Sequence, residues 1–379
     1  MMDQTSRPVT TSEINSLRRE VRGFLAAFRR EGRFTPTVDC WVRGWDDEFS
    51  KELGRRGYLA MTVPTAYGGQ GRTHLERFVV TEELLAAGAP VAAHWIADRQ
   101  VAPSLLAHGT EEQKREYLPR IAAGECYFGI GMSEPDSGSD LASVRTKGVK
   151  VDGGYRITGS KVWTSGAHRA EAFFVLTRTT PLGDGGKHEG LSQFIVPLDS
   201  PGVEVRPIVS ADGLHHFNEV FLDEVFVADS AVLGRIGDGW KQVTSELSFE
   251  RSGPERFMST YVLLESLIAE GRVQEHGSRQ LGRIASRLAA LHTLSFGVAQ
   301  RLHRGGPADT DAALVKLLGT EFEGDVVAWA ADEMDGQAHD PMGFIGQQLR
   351  IAQVQRAGFT LRGGTSEVLR GVVTRGLTV

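Results

Sequence analysis

The apolar period of this chain changes twice, from helical to alternating and back, and this limits its architecture more than any other feature. In the first part Ile14, Leu17, Val21, Phe24, Leu25 and Phe28 fall on one helical face, beside a face of arginines and glutamates. Thr110 and Gln113 are spaced as a capping box ahead of Tyr117, Leu118 and Ile121. From about residue 126 the period is two. Val149 and Val151, then Asp152-Gly153-Gly154, then Tyr155 and Ile157 predict a β-hairpin, with further strands over 173–180, 192–198 and 219–227. From about residue 236 helices return, and the last carries Val368, Leu369, Val372 and Val373 on one side. The expected class is α+β: an N-terminal helical domain over 1–125, a middle β-barrel-like domain over 126–235 and a C-terminal helical bundle over 236–379.

Charge and composition exclude several functions. A net charge of −6 with no basic block argues against nucleic-acid binding. Cys40 and Cys126 are the only cysteines, so neither a disulfide framework nor a multi-cysteine metal site is implied. No metal site is expected, because His168, His215 and His216 fall in predicted loops without ligand spacing. The start of the chain lacks an apolar signal region and no run is long enough to span a bilayer, so a soluble cytoplasmic protein with no membrane contact is expected.

Chemistry concentrates first in Gly131-Met132-Ser133-Glu134-Pro135-Asp136-Ser137-Gly138-Ser139-Asp140. Proline breaks regular pairing there, glycine lets the backbone come close to a ligand, and the serine hydroxyls donate and accept. Ser-Glu-Pro-x-Ser-Gly-Ser-Asp closely resembles the flavin- and substrate-binding loop of the acyl-CoA dehydrogenases. The helix His108–Glu125 and the helical–β–helical order resemble that family too, over nearly the whole chain. A second stretch, Gly159-Ser160-Lys161-Val162-Trp163-Thr164-Ser165-Gly166, is similar to the family's Lys-x-Trp-Ile-Thr-Asn strand. The resemblance implies FAD as cofactor, with Trp163 flanking the isoalloxazine and Ser165 bonding near the nitrogen that accepts hydride. Ser133 would face the pyrimidine edge. Ile130, Met132, Ser139, Thr365 and Glu367 complete the implied cofactor contacts.

The family's reaction removes a proton α to the thioester of an acyl-CoA and a hydride from the β carbon, so it needs a carboxylate base and donors on the thioester oxygen. Much of the family carries that base in a Glu-Gly-Thr segment. Here the segment reads Leu361-Arg362-Gly363-Gly364-Thr365, with no carboxylate at Gly363. The isovaleryl-CoA and long-chain branches place a Glu-Arg pair on an earlier helix instead. Aligned from Gly237-Asp238-Gly239-Trp240-Lys241, that pair is Glu250-Arg251. By resemblance Glu250 is the base, Gly363 offers its N–H to the thioester oxygen, and Arg251, Ser139 and Gly363 contact the substrate.

The chain departs from the family where homomeric members hold the ADP end of FAD. Over 272–283 the family's Phe and Gln have no clear counterpart, and Asp332-Glu333-Met334-Asp335-Gly336-Gln337-Ala338 lacks most of the expected glycines and adds carboxylates. This predicts a paralogous partner chain in a two-plus-two heterotetramer, as in bacterial steroid side-chain acyl-CoA dehydrogenases. An electron-transfer flavoprotein is the implied acceptor, and a bulky or steroid acyl-CoA the implied substrate. Two other readings stand beside this one: a non-catalytic partner subunit, and a flavin-dependent oxidase.

Overall fold

The computed structural model describes residues 7–181, 186–335, 340 and 342–377, with the side chains of 247–250 and 276 outside that description. The chain separates into two compact units. One comprises residues up to Asp46, Gly71–Ala92 and Ser248 onward; the other comprises Asp47–Gln70 and Ala93–Leu247.

The second unit is built on one eight-stranded sheet. In chain order its strands are β1 Phe128–Gly131, β2 Lys147–Val151, β3 Gly154–Ser165, β4 Ala172–Arg178, β5 Leu191–Pro197, β6 Val203–Val209, β7 His215–Ala228 and β8 Val232–Leu233. They lie in the order β6-β7-β3-β2-β4-β5-β8, with β1 parallel to β4. The expected hairpin forms between β2 and β3, and Gly153 takes the left-handed φ of 73° that its tight turn needs. β4 is buried along nearly its full length and divides its side chains between two cores. Phe173 and Val175 join Phe194, Val196, Val220 and Leu222, while Phe174 joins Tyr117, Leu118, Ile121 and Phe128. The Thr110 capping box opens the helix Glu111–Ala122 that supplies this second core.

Strand β6 was not among the expected strands, and it explains a correction. His215 and His216 open β7 instead of lying in a loop, because His215 pairs with Val209 of β6 and Phe217 with Ser165 of β3. His168 stacks on His215 at 3.9 Å, and burial followed by that neighbour pushes it down to about 4.

The first unit is helical. Leu17, Val21, Phe24, Leu25 and Phe28 are buried on the helix Thr11–Arg30, and Ile14 packs at its edge against Phe78 and Ala299. Each such side chain taken fully out of water contributes about 1.5–3 kcal/mol. Arg18 on the same helix bridges Glu82 and Glu83 of the helix His74–Ala86. The helix Asp309–Met334 is buried on almost every side, and the helices Phe344–Phe359 and Ser366–Leu377 flank the glycine turn at 363–364.

Gly54, in the helix Asp47–Arg55, tests the packing of the second unit. A Cβ there would sit 2.5 Å from the Ala123 carbonyl oxygen, a backbone atom that cannot swing away. Ala normally stabilises a helix interior relative to Gly by up to about 1 kcal/mol. Here Gly54→Ala is expected to destabilise by about 1–3 kcal/mol in denaturant unfolding.

Candidate functional site

The serine-rich loop between β1 and β2 is organised by one carboxylate. Glu134 accepts the Arg145 N–H at 2.6 Å, the Thr146 N–H at 2.9 Å and the Lys161 ammonium at 2.8 Å. Lys161, fully buried on β3, also donates to the Met132 carbonyl at 3.1 Å. Glu134 and Ser137 exchange backbone hydrogen bonds, which folds the loop on itself. Burial opposes ionisation of Glu134, but the Lys161 charge and these hydrogen bonds overcome it and hold the carboxylate below its ordinary range. Burial likewise pushes the Lys161 ammonium down, to about 8, against the pull of Glu134.

The same pair draws the two sequence motifs together. The Val162 N–H donates to the Ser133 carbonyl at 2.9 Å, so the loop lies against β3 one residue before Trp163. At that point β3 bulges: Lys161 pairs with Val220 and Thr164 with Asn218, leaving one extra residue on β3. Trp163 absorbs the bulge with φ of 61° and is 59% exposed, its ring edge-on to Phe217. A bulky residue in the left-handed region is strained, and a large aromatic held out in solvent buries little. Packing alone does not account for such a residue. Asn218, buried beneath, donates to the Thr164 carbonyl at 2.9 Å and fixes the strand behind it.

Ser133 and Ser165 are half-buried, and their hydroxyls, like the Trp163 indole N–H, make no hydrogen bond among the described residues. Ile130 lies on β1 and Met132 packs at the edge of the Val144, Leu176 and Val243 cluster. Ser139 stands apart, exposed at the far end of the loop beside Asp140, whose carboxylate bonds Lys187 at 2.5 Å.

The remaining predicted residues belong to the helical unit. Gly363 and Gly364 carry φ of 71° and 99°, which only glycine adopts without strain. The Gly363 N–H donates to nothing among the described residues. Arg251 Nε donates to the Gly363 carbonyl at 3.0 Å. Thr365 accepts the Val368 N–H at 3.4 Å and so caps the helix Ser366–Leu377, where Glu367 is exposed in the first turn. Glu250 lies on the helix Gly239–Arg251, but its side chain falls outside the described residues. Sequence reasoning missed the buried Lys161–Glu134 and Asp39–Arg362 pairs and the buried Lys316. Lys161 and Glu134 stood inside the motifs already singled out, so the signal was present.

Three family descriptions match in succession: "Acyl-CoA dehydrogenase, N-terminal domain" over 11–125, "middle domain" over 129–225 and "C-terminal domain" over 265–378. Acyl-CoA dehydrogenase FadE26 of Mycobacterium tuberculosis is 32% identical over 386 residues, covering 96% of each chain. The chain belongs to the acyl-CoA dehydrogenase family. Among solved structures, a chain of "Tcur3481-Tcur3483 steroid ACAD" superposes with a TM-score of 0.85 at 30% identity, covering 98% of each chain. The ChsE4-ChsE5 complex from Mycobacterium tuberculosis gives a TM-score of 0.83 at 30% identity, over 98% of this chain and 99% of that one.

An acyl-CoA dehydrogenase is a flavin-dependent oxidoreductase that uses FAD, and the unsatisfied donors suit one end of that cofactor. A planar platform with hydroxyl and N–H donors that have no protein partner fits a polar aromatic ring. At the stretch expected at the ADP end, the described residues show a carboxylate turned inward. Glu333, buried, accepts the Gln274 N–H at 2.7 Å, and its carboxylate fills the space beside Gly277. Residues 336–338 of that stretch lie outside the described residues. Among the described residues no helix is long and apolar enough to cross a membrane.

The Lys161–Glu134 pair is open to a direct test. Lys161→Met leaves a buried carboxylate without its cation and is expected to cost about 3–5 kcal/mol in chemical unfolding. Adding Glu134→Gln removes the stranded charge and keeps an amide oxygen for the Arg145 and Thr146 N–H groups, so it should recover part of that loss; no recovery would show that the two charges are not coupled. The stabilisation from the lowered Glu134 pKa is complete above the ordinary value of 4.5 and disappears as pH falls through the native value. An acid titration of wild type against Glu134→Gln reads that loss.

Proposed function

We propose that the chain catalyses α,β-dehydrogenation of a bulky or branched acyl-CoA, a steroid side-chain CoA being the favoured substrate, as one subunit of a two-plus-two heteromer. The observation that carries this reading is the bond from Arg251 to the Gly363 carbonyl. It ties the end of the helix bearing Glu250 to the glycine turn that has no carboxylate of its own. A base missing from one element and available on another that docks against it is the relocation the two branches share.

In this reading Glu250 takes the α-proton, and the Gly363 N–H holds the thioester oxygen as enolate-like charge develops there. Trp163, Ser133 and Ser165 hold and orient the flavin ring, with Ile130, Met132, Ser139, Thr365 and Glu367 as further contacts. When bound, the flavin supplies the acceptor for the β-hydride. Ser139 and Arg251 contact the CoA arm. The three-domain division at 126 and 236 belongs to the same reading, as do a cytoplasmic setting and an electron-transfer flavoprotein as acceptor.

Similarity to a steroid acyl-CoA dehydrogenase chain supports the substrate, and glycine at 363 leaves room beside the α carbon. The glycines missing from 332–338 support the partner chain, since side chains there keep the backbone away from a pyrophosphate. Two experiments decide the matter. Glu250→Gln should keep its flavin and lose turnover by a factor of about 10²–10⁴. Wild-type turnover in that variant would remove Glu250 from the mechanism. The chain purified alone should hold substoichiometric FAD, and full occupancy without a paralogue would overturn the heteromer.

A further inference from the structure

Lys316 is fully buried on the helix Asp309–Met334, and no step proposed above uses it. Its ammonium donates to the Gly364 carbonyl at 2.7 Å and to the Thr360 carbonyl at 3.2 Å. Thr360 closes the helix Phe344–Phe359, and Gly364 stands two residues ahead of the helix Ser366–Leu377. One ammonium therefore spans both ends of the turn that contains Gly363. Taking it out of water is costly, and an apolar side chain of similar length would fill the space without that cost. What a cation adds is a charge-assisted bond to each carbonyl at a set position.

The turn needs such ties. Two consecutive glycines in the left-handed region have no side chains to lock them and the widest backbone freedom of any pair. Their conformation is imposed from outside. Arg251 takes the Gly363 carbonyl, and Arg362 forks onto the buried Asp39 carboxylate at 2.9 and 3.2 Å. Lys316 takes the Gly364 carbonyl. With the flanking peptides pinned, the Arg362–Gly363 peptide keeps one orientation, and its N–H is the donor left without a partner. We propose that Lys316 is a positioning residue that aims the Gly363 N–H at the thioester oxygen. The inference rests on the role given to Gly363 above.

The test compares wild type, Glu250→Gln, Lys316→Met, Lys316→Gln and Lys316→Arg, each purified with its partner chain and flavin. The probe is whichever of a steroid-24-oyl-CoA and isovaleryl-CoA the wild type oxidises faster. A misaimed oxyanion donor should lower kcat per bound flavin by about tenfold to a hundredfold in the Met and Gln variants. KM should move by less than about threefold, since ground-state binding is untouched. Amide exchange over 360–366 should quicken, and Lys316→Arg should restore most of the rate. If Lys316→Met fails to fold, Lys316→Gln carries the comparison. Unchanged kcat and exchange would overturn the proposal, as would a loss that merely follows flavin content and is not rescued by Arg. Should Glu250→Gln turn over normally, the catalytic reading fails and exchange alone judges the hold of Lys316 on the turn. An inactive Glu250→Gln beside unaffected Lys316 variants removes only this inference.

Discussion

A fully buried ammonium sits behind a glycine-containing turn in each of the two units, and each donates to at least one backbone carbonyl of that turn. Lys161 holds Met132 and Glu134 in the sheet unit; Lys316 holds Thr360 and Gly364 in the helical one. Desolvating a charge opposes folding, so neither lysine is the most stable choice for its space. Each converts that cost into a fixed backbone path. For Lys161 the gain can be followed atom by atom. Its partner Glu134 has three donors on two oxygens, the Ser133 carbonyl then receives Val162, and Trp163 follows at the bulge.

Much of this was legible before any coordinates. The face Leu17, Val21, Phe24, Leu25 and Phe28 is buried as its spacing required, and the β2–β3 turn falls on Gly153. Thr110 and Gln113 form their capping box, and Thr10–Glu13 and Thr73–Glu76 repeat the same spacing. These are local rules, each satisfied within a few residues, and so they survive whatever the tertiary structure does. Family likeness carried the site residues further than local rules allow.

The rest was hidden for definite reasons. Nothing in the composition of Val162-Trp163-Thr164 announces a left-handed tryptophan; the bulge exists because β7 sets the register on the other side. Strand β6, with exposed residues along most of its length, lacks the apolar run that marks a buried strand, and without it the start of β7 was read as loop. The helix Asp309–Met334 is buried on nearly all sides, so periodicity could not say that Lys316 points inward. Asp39 lies hundreds of residues from Glu323 and Arg362 in sequence, yet its charge reaches both. Arg362 is committed to Asp39, and burial followed by the Asp39 charge pushes Glu323 up to about 8.

These hidden features share a pattern that bears on function. Around the serine loop and the glycine turn, the groups that set the backbone are saturated: the Glu134 carboxylate, the Lys161 ammonium and the carbonyls of Gly363 and Gly364 all have partners. The groups left over are donors at the surface of those same frameworks: the Ser133 and Ser165 hydroxyls, the Trp163 indole and the Gly363 N–H. A loosely packed region would leave donors and acceptors unmet at random. Here the groups that fix the backbone are met and these donors have no partner among the described residues, on a backbone held in conformations that cost energy at Trp163 and freedom at the paired glycines. Within each unit, donors on a backbone held in that way do not turn inward to find a protein partner, and each set is prepared to meet an acceptor on a ligand.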